Sequence, residues 1–251
     1  MPIKTRIALV AVLMVASMTA GARDYNVTDF GAKADGTTLN TNIIQHAIDY
    51  VSAQGGGTVV FTPGRYLTGT IYIKSGVTLE LQNGSELLGS TNPWDYDKNP
   101  IVNWQSLIFA IRQHDIGIKG QGTINGQGAQ TANNKVDIIN RGLYDDPLRN
   151  GRPYEGNRPM NIYFRECENI RIEGITLRDP ASWNQTYDQC RNLLVDGITV
   201  DSKAYWNNDG IDVVDCDGVV IRNANIDAAD DVFCFKSHSA DHVCQNVVVE
   251  N

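Results

Sequence analysis

The sequence predicts an all-β fold, a parallel solenoid with one helix capping its first coil. The first reason is an internal repeat. Residues 169–177, beginning Asn169-Ile170-Arg171-Ile172, are echoed by 192–200, by 218–226 and by 246–251. The first apolar residues of these copies, Ile170, Leu193, Val219 and Val247, stand 23, 26 and 28 residues apart. A looser copy is Asp115-Ile116-Gly117-Ile118. Strand-like repeats of this length suit coils that bury their alternate apolar residues and stack on the next coil. A β-sandwich is the competing reading, but its strands would recur about every 8–12 residues. The second reason is the supply of corners: 23 Gly and 23 Asn in 251 residues, both suited to left-handed backbone positions. Third, with 42% hydrophobic and 20% charged residues, the chain can bury a core and is not a disordered composition.

The elements follow in order. Lys4 and Arg6 precede an apolar run from Ile7 to Val15, and Ala20-Gly21-Ala22 offers a small-residue cleavage site. That layout reads as a signal peptide over 1–22, too short in its apolar part for a membrane span. Residues 23–251 then form one β-helix domain, exported to the periplasm or secreted. Ile43, Ile44, Ala47, Ile48 and Val51 share one helical face, with Asn40 or Thr41 as cap and Gly55-Gly56-Gly57 as terminator. This helix covers the open first coil. Strands follow at 58–61, 71–73 and 77–81, with Pro63-Gly64 as a turn. The polar segment 125–160 reads as a long loop. Cys167, Cys190, Cys216, Cys234 and Cys244 lack CxxC spacing, so they read as small apolar residues of strand-like runs rather than a zinc site. A disulfide framework would leave at least one of the five unpaired.

The formal net charge is −8, and losing residues 1–22 with their two cations makes it −10. Such a chain is no general nucleic-acid binder. The chemistry concentrates in Trp206-Asn207-Asn208-Asp209-Gly210-Ile211-Asp212 and Asp227-Ala228-Ala229-Asp230-Asp231. Asp209 and Asp230 are 21 residues apart, close to one coil, so the stack can bring them onto neighbouring strands about 4.8 Å apart. Crowded carboxyls cannot all ionise easily, so one retains a proton. A protonated carboxyl beside an ionised one is glycosidase equipment. Asp as a turn former and Asp as a calcium ligand are the alternatives. Lys236 could hold a sugar carboxylate. Trp183 and Tyr205 could stack on sugars or pack coils. His238 and His242 read as loop or surface residues.

At these residues the sequence resembles glycoside hydrolase family 28, the polygalacturonases. The family's Asn-Thr-Asp-Gly-Ile-Asp appears as Asn207-Asn208-Asp209-Gly210-Ile211-Asp212, its Gly-Asp-Asp as Ala229-Asp230-Asp231, and its Lys-Ser as Lys236-Ser237. Asp179-Pro180-Ala181-Ser182-Trp183 and Val27-Thr28-Asp29-Phe30-Gly31-Ala32 fit as well. The resemblance implies a right-handed parallel β-helix and an inverting hydrolase of pectin-like polysaccharide. It makes Asp230 the general acid and Asp209 and Asp231 the water activators, with Asn207, Lys236 and Trp183 against the substrate. It implies no metal or cofactor, and the expected state is a monomer with no membrane partner. The family's Gly-His-Gly and Arg-x-Lys segments do not occur. By the family spacing they fall beyond Asn251, so the chain reads as truncated before its C-terminal coils. A polysaccharide lyase and a non-catalytic carbohydrate-binding solenoid are the rival readings.

Overall fold

The structure is a computed structural model that describes residues 23–147 and 151–251. The signal-peptide reading of 1–22 therefore lies outside the described residues. The chain begins with β1 (Asp24–Asn26), α1 (Thr41–Ala53), β2 (Gly57–Phe61), β3 (Gly64–Thr68) and β4 (Ile71–Tyr72). Next come β5 (Val77–Leu81), β6 (Ser85–Gly89), β7 (Ser106–Ile111), β8 (His114–Gly120), β9 (Thr123–Asn125), α2 (Gly128–Asn140) and β10 (Met160–Arg165). Two coils follow as β11 (Glu168–Glu173), β12 (Thr176–Arg178), β13 (Gln185–Asp188), β14 (Arg191–Asp196), β15 (Thr199–Ser202) and β16 (Ile211–Val214). The last elements are β17 (Asp217–Arg222), β18 (Asn225–Ala228), β19 (Phe233–Lys236) and β20 (Gln245–Glu250).

Each coil visits three sheets in turn, and every named strand pair is parallel. The first sheet runs β1-β2-β5-β8-β11-β14-β17-β20, the second β3-β6-β9-β12-β15-β18, and the third β4-β7-β10-β13-β16-β19. This is the parallel β-helix that the repeat predicts. The predicted copies fall into register: Ile116 pairs with Ile170, Ile170 with Leu193, Leu193 with Val219 and Val219 with Val247. Their side chains point inward and stack with Leu87, Ile124, Leu177 and Val200 of the second sheet and Ile108, Ile162 and Ile211 of the third. Corners use the expected left-handed residues. Asn169, Asn192 and Asn246 have φ near +55°, and Gly174, Gly197 and Gly218 have φ of 74°, 66° and 75°. At the last coil Phe235 is exposed, although its register partner Val213 is buried.

Three expectations need correction. Helix α1 forms where predicted and buries Ile44, Ala47, Ile48 and Val51 against the first coil. Its Asn40, however, makes no side-chain cap. The amide is turned to the carbonyls of Lys33, Thr38 and Leu67 and to the Lys33 amide, so it pins the preceding loop. Segment 125–160 is not a plain loop, because it contains the 13-residue α2. Four of the five cysteines sit at corners just before β11, β14, β17 and β20, and only Cys234 lies within a strand. All five are free thiols. Cys167, Cys190 and Cys216 are buried and donate to backbone carbonyls.

Candidate active site

The site lies on the outer face of the third sheet and on the turns that lead into it from the second. The turn into β16 carries Asp209, the turn into β19 carries Asp230 and Asp231, and the turn into β13 carries Trp183. Stacking holds the two acid-bearing turns together. Gly210 N–H donates to the Asp231 carbonyl (2.8 Å), and Asp230 N–H donates to the Asn208 carbonyl (3.3 Å). Gly210 is required here, since a Cβ would stand 2.3 Å from the Val232 carbonyl oxygen.

Asp209 is almost wholly buried (3% exposed) and Asp212 completely so. Lys236, at the end of β19, reaches both: its Nζ stands 3.3 Å from Asp209 Oδ2 and 3.0 Å from Asp212 Oδ1. Burial pushes the Asp209 carboxyl up to about 6, with Lys236 opposing and Asp230 adding to the rise. Burial and the neighbouring Asp209 charge push Asp212 up to about 8. Burial lowers Lys236, but Asp212 and Asp209 outweigh it and hold the ammonium well above its ordinary range. Two carboxyls thus share one cation, and near neutral pH the pair keeps one proton. That proton belongs to the pair, whose two carboxyls titrate together. The same ammonium lies 4.2 Å from the centre of the Trp183 ring, which packs at 4.7 Å on Trp104.

Asp230 and Asp231 are exposed. Asp230 is close enough to influence Asp209, and Asp231 reaches the Cys234 thiol, whose strand partner is Asp212. The three expected catalytic acids therefore share one patch, with Lys236 and Trp183 beside them. Asn207 braces the turn, since its Oδ1 accepts from Arg158 Nη2 at 2.8 Å. Tyr205 lies under the Arg158 guanidinium, whose carbon is 5.4 Å from the ring centre. His238 is, as expected, an exposed residue of the loop after β19. Its Nδ1 is 3.6 Å from the buried Asp188 carboxylate, which raises its pKa. His242 is exposed and bonds Ser239 Oγ at 3.0 Å.

Sequence reasoning placed Asp212 in the motif but gave it no role, and it missed Asp188 and Arg158. Asp212 lies inside the otherwise uncharged β16, and Asp188 ends the otherwise uncharged β13; a lone acid in such a strand was the available signal. Arg158 had none. It is 1% exposed and has no ion-pair partner among the described residues, yet all its nitrogens are used. Nε donates to the Pro153 carbonyl, Nη1 to those of Ala181 and Trp206, and Nη2 to Asn207. Burial and the nearby Arg152 charge lower its pKa to about 10. Arg158 ties together three successive turns, including the one that carries Asp209. Asn208 completes this frame by donating to the Pro180 and Ser182 carbonyls. Among the described residues no group of three or more His, Cys, Asp or Glu is arranged to hold a metal.

The site is thus an acid cluster with one lysine on an outer face of a parallel β-helix. The chain belongs to glycosyl hydrolases family 28, whose profile matches residues 58–251. It is 28% identical to an exo-poly-alpha-D-galacturonosidase of Dickeya chrysanthemi over 257 residues, covering 86% of this chain and 42% of the relative. It superposes on the family 28 exopolygalacturonase of Yersinia enterocolitica with a TM-score of 0.74 at 30% identity, covering 85% of this chain and 45% of that one. The polygalacturonase from Erwinia carotovora ssp. carotovora shares the fold, with a TM-score of 0.70 at 22% identity over 87% of this chain and 60% of that one. The chain spans less than half the length of the curated relatives it matches. No helix among the described residues is long and apolar enough to cross a membrane.

Proposed function

We propose that this chain carries the active site of an exported, monomeric polygalacturonase-type hydrolase, which cleaves α-glycosidic bonds of pectic polysaccharide with inversion and uses no metal or organic cofactor. One observation carries the reading: Asp209, Asp230 and Asp231 meet on consecutive turns at a single outer face, with Lys236 bridging to Asp212 beneath. In this mechanism Asp230, exposed to substrate, protonates the leaving oxygen. Asp209, held by Lys236 at 3.3 Å, activates water together with Asp231. Burial supplies a base that titrates near 6 rather than 4, strong enough to take a proton yet ionised at neutral pH.

The test is Asp230→Asn in the full chain, assayed by reducing-end release from polygalacturonate. Turnover should fall by roughly 10²–10⁴-fold with the far-ultraviolet circular dichroism unchanged. A near-normal rate in this variant sinks the assignment. An unsaturated, ultraviolet-absorbing product from the unsubstituted chain would select elimination instead of hydrolysis.

A further inference from the structure

We infer that Trp206 and Arg152 form a subsite for an acidic sugar beside Asp230, a hexuronosyl residue of the polysaccharide. Trp206 is 62% exposed, an unusual position for a large ring on a fixed surface turn. The turn is fixed because the Trp206 carbonyl accepts from buried Arg158 at 2.6 Å and Asn208 anchors the next residue but one. The indole is thus presented without the ordering cost that a mobile loop would bring. It borders a concavity of about 470 Å³ lined by Ala204, Tyr205, Trp206, Asn207, Ala229 and Asp230, a volume suited to a small ligand.

The lining and Arg152, which is not part of the lining but stacks on Trp206, specify the ligand. An aromatic face beside small residues receives the apolar face of a pyranose ring. The guanidinium of Arg152 lies 4.8 Å from the Trp206 ring centre and faces no carboxylate within ion-pair distance among the described residues. Arg158 carries a second positive charge near enough for the two to repel, which favours an anion at Arg152. A planar fork of this kind suits a carboxylate. With Asp230 on the rim, a sugar seated here presents its glycosidic oxygen to the group proposed as the acid. The inference rests on the hydrolase reading for that last step but not for binding.

Calorimetry with trigalacturonate separates the two claims, using the full chain and its Asp230→Asn variant. Trp206→Ala should weaken binding roughly tenfold, and Trp206→Phe should recover most of the loss. Arg152→Gln should weaken binding of the free acid while leaving the methyl-esterified trimer unaffected. In turnover, both substitutions should raise KM with kcat changed less than about twofold. The subsite is overturned by an unsubstituted chain that does not bind the trimer, or by Trp206→Ala and Arg152→Gln variants that bind it as the unsubstituted chain does. Equal losses on free and esterified trimers would overturn the carboxylate assignment. Binding that is lost in Trp206→Ala, in a chain without turnover, keeps the subsite and removes the hydrolase reading. Normal KM in both variants with full turnover does the reverse.

Discussion

Lys236 is one cation facing two buried carboxyls, and this imbalance sets how the site answers to pH. Asp209 and Asp212 titrate near 6 and 8 in the fold against 3.8 for a free side chain. Between those values the folded chain binds more protons than the unfolded one. Their contribution to stability is therefore complete below about pH 4 and is lost as pH rises through about 6 and then 8. Asp212→Asn should flatten this fall, as read by urea unfolding at a series of pH values. Lys236→Met should act in a second way. Without the ammonium, Asp209 holds its proton more tightly, so the acid limb of the kcat/KM profile should move from near pH 6 to higher pH. An unmoved limb would show that Asp209 is not the group titrating there. The lysine was visible in the sequence as a possible partner of a sugar carboxylate. Its pairing with Asp212 was not, because the two residues meet only diagonally across neighbouring strands.

Helix α2 shows why an element can hide in a sequence. Its buried face is made of Thr131, Ala132, Lys135 and Ile138, with Gly128 at the start. That face has helical spacing but carries one large apolar residue, so no apolar period marks it. Lys135 can be buried because its Nζ lies 3.8 Å over the Tyr144 ring, a contact that spacing cannot reveal. Gly128 seats the helix: a Cβ there would stand 2.0 Å from the Pro180 carbonyl oxygen. Gly128→Ala should cost about 1–3 kcal/mol through forced displacement. It should also disturb the turn leading to Trp183, read as a lower urea midpoint together with a changed Trp fluorescence. Helix α1 was legible for the opposite reason. Its apolar face is continuous and a glycine run ends it, and only the role of Asn40 had to be corrected.

Over the described residues, the main core is one continuous cluster built from ladders of equivalent inward apolar positions. Ile172 sits between Ile118 below and Val195 above, and all three are fully buried. Ile172→Ala should cost about 2–5 kcal/mol, since rigid coils on both sides cannot collapse into the gap. The cost should appear in the unfolding free energy of the chain. A loss below about 1 kcal/mol would mean that neighbouring coils adjust far more than the parallel pairing suggests. The sequence by itself determined the repeat, the inward faces, the asparagine and glycine corners and the first helix. Each of these is written in local spacing, which a solenoid turns directly into stacking. The tertiary structure alone decided which residues from different coils share a charge, a proton or a carbonyl. The Lys236–Asp212 pair, the Arg158 clamp and the Trp206–Arg152 contact depend on loop paths and coil lengths, which run from the 20 residues between Val59 and Leu79 to the 54 between Ile118 and Ile172, and no fixed period records them.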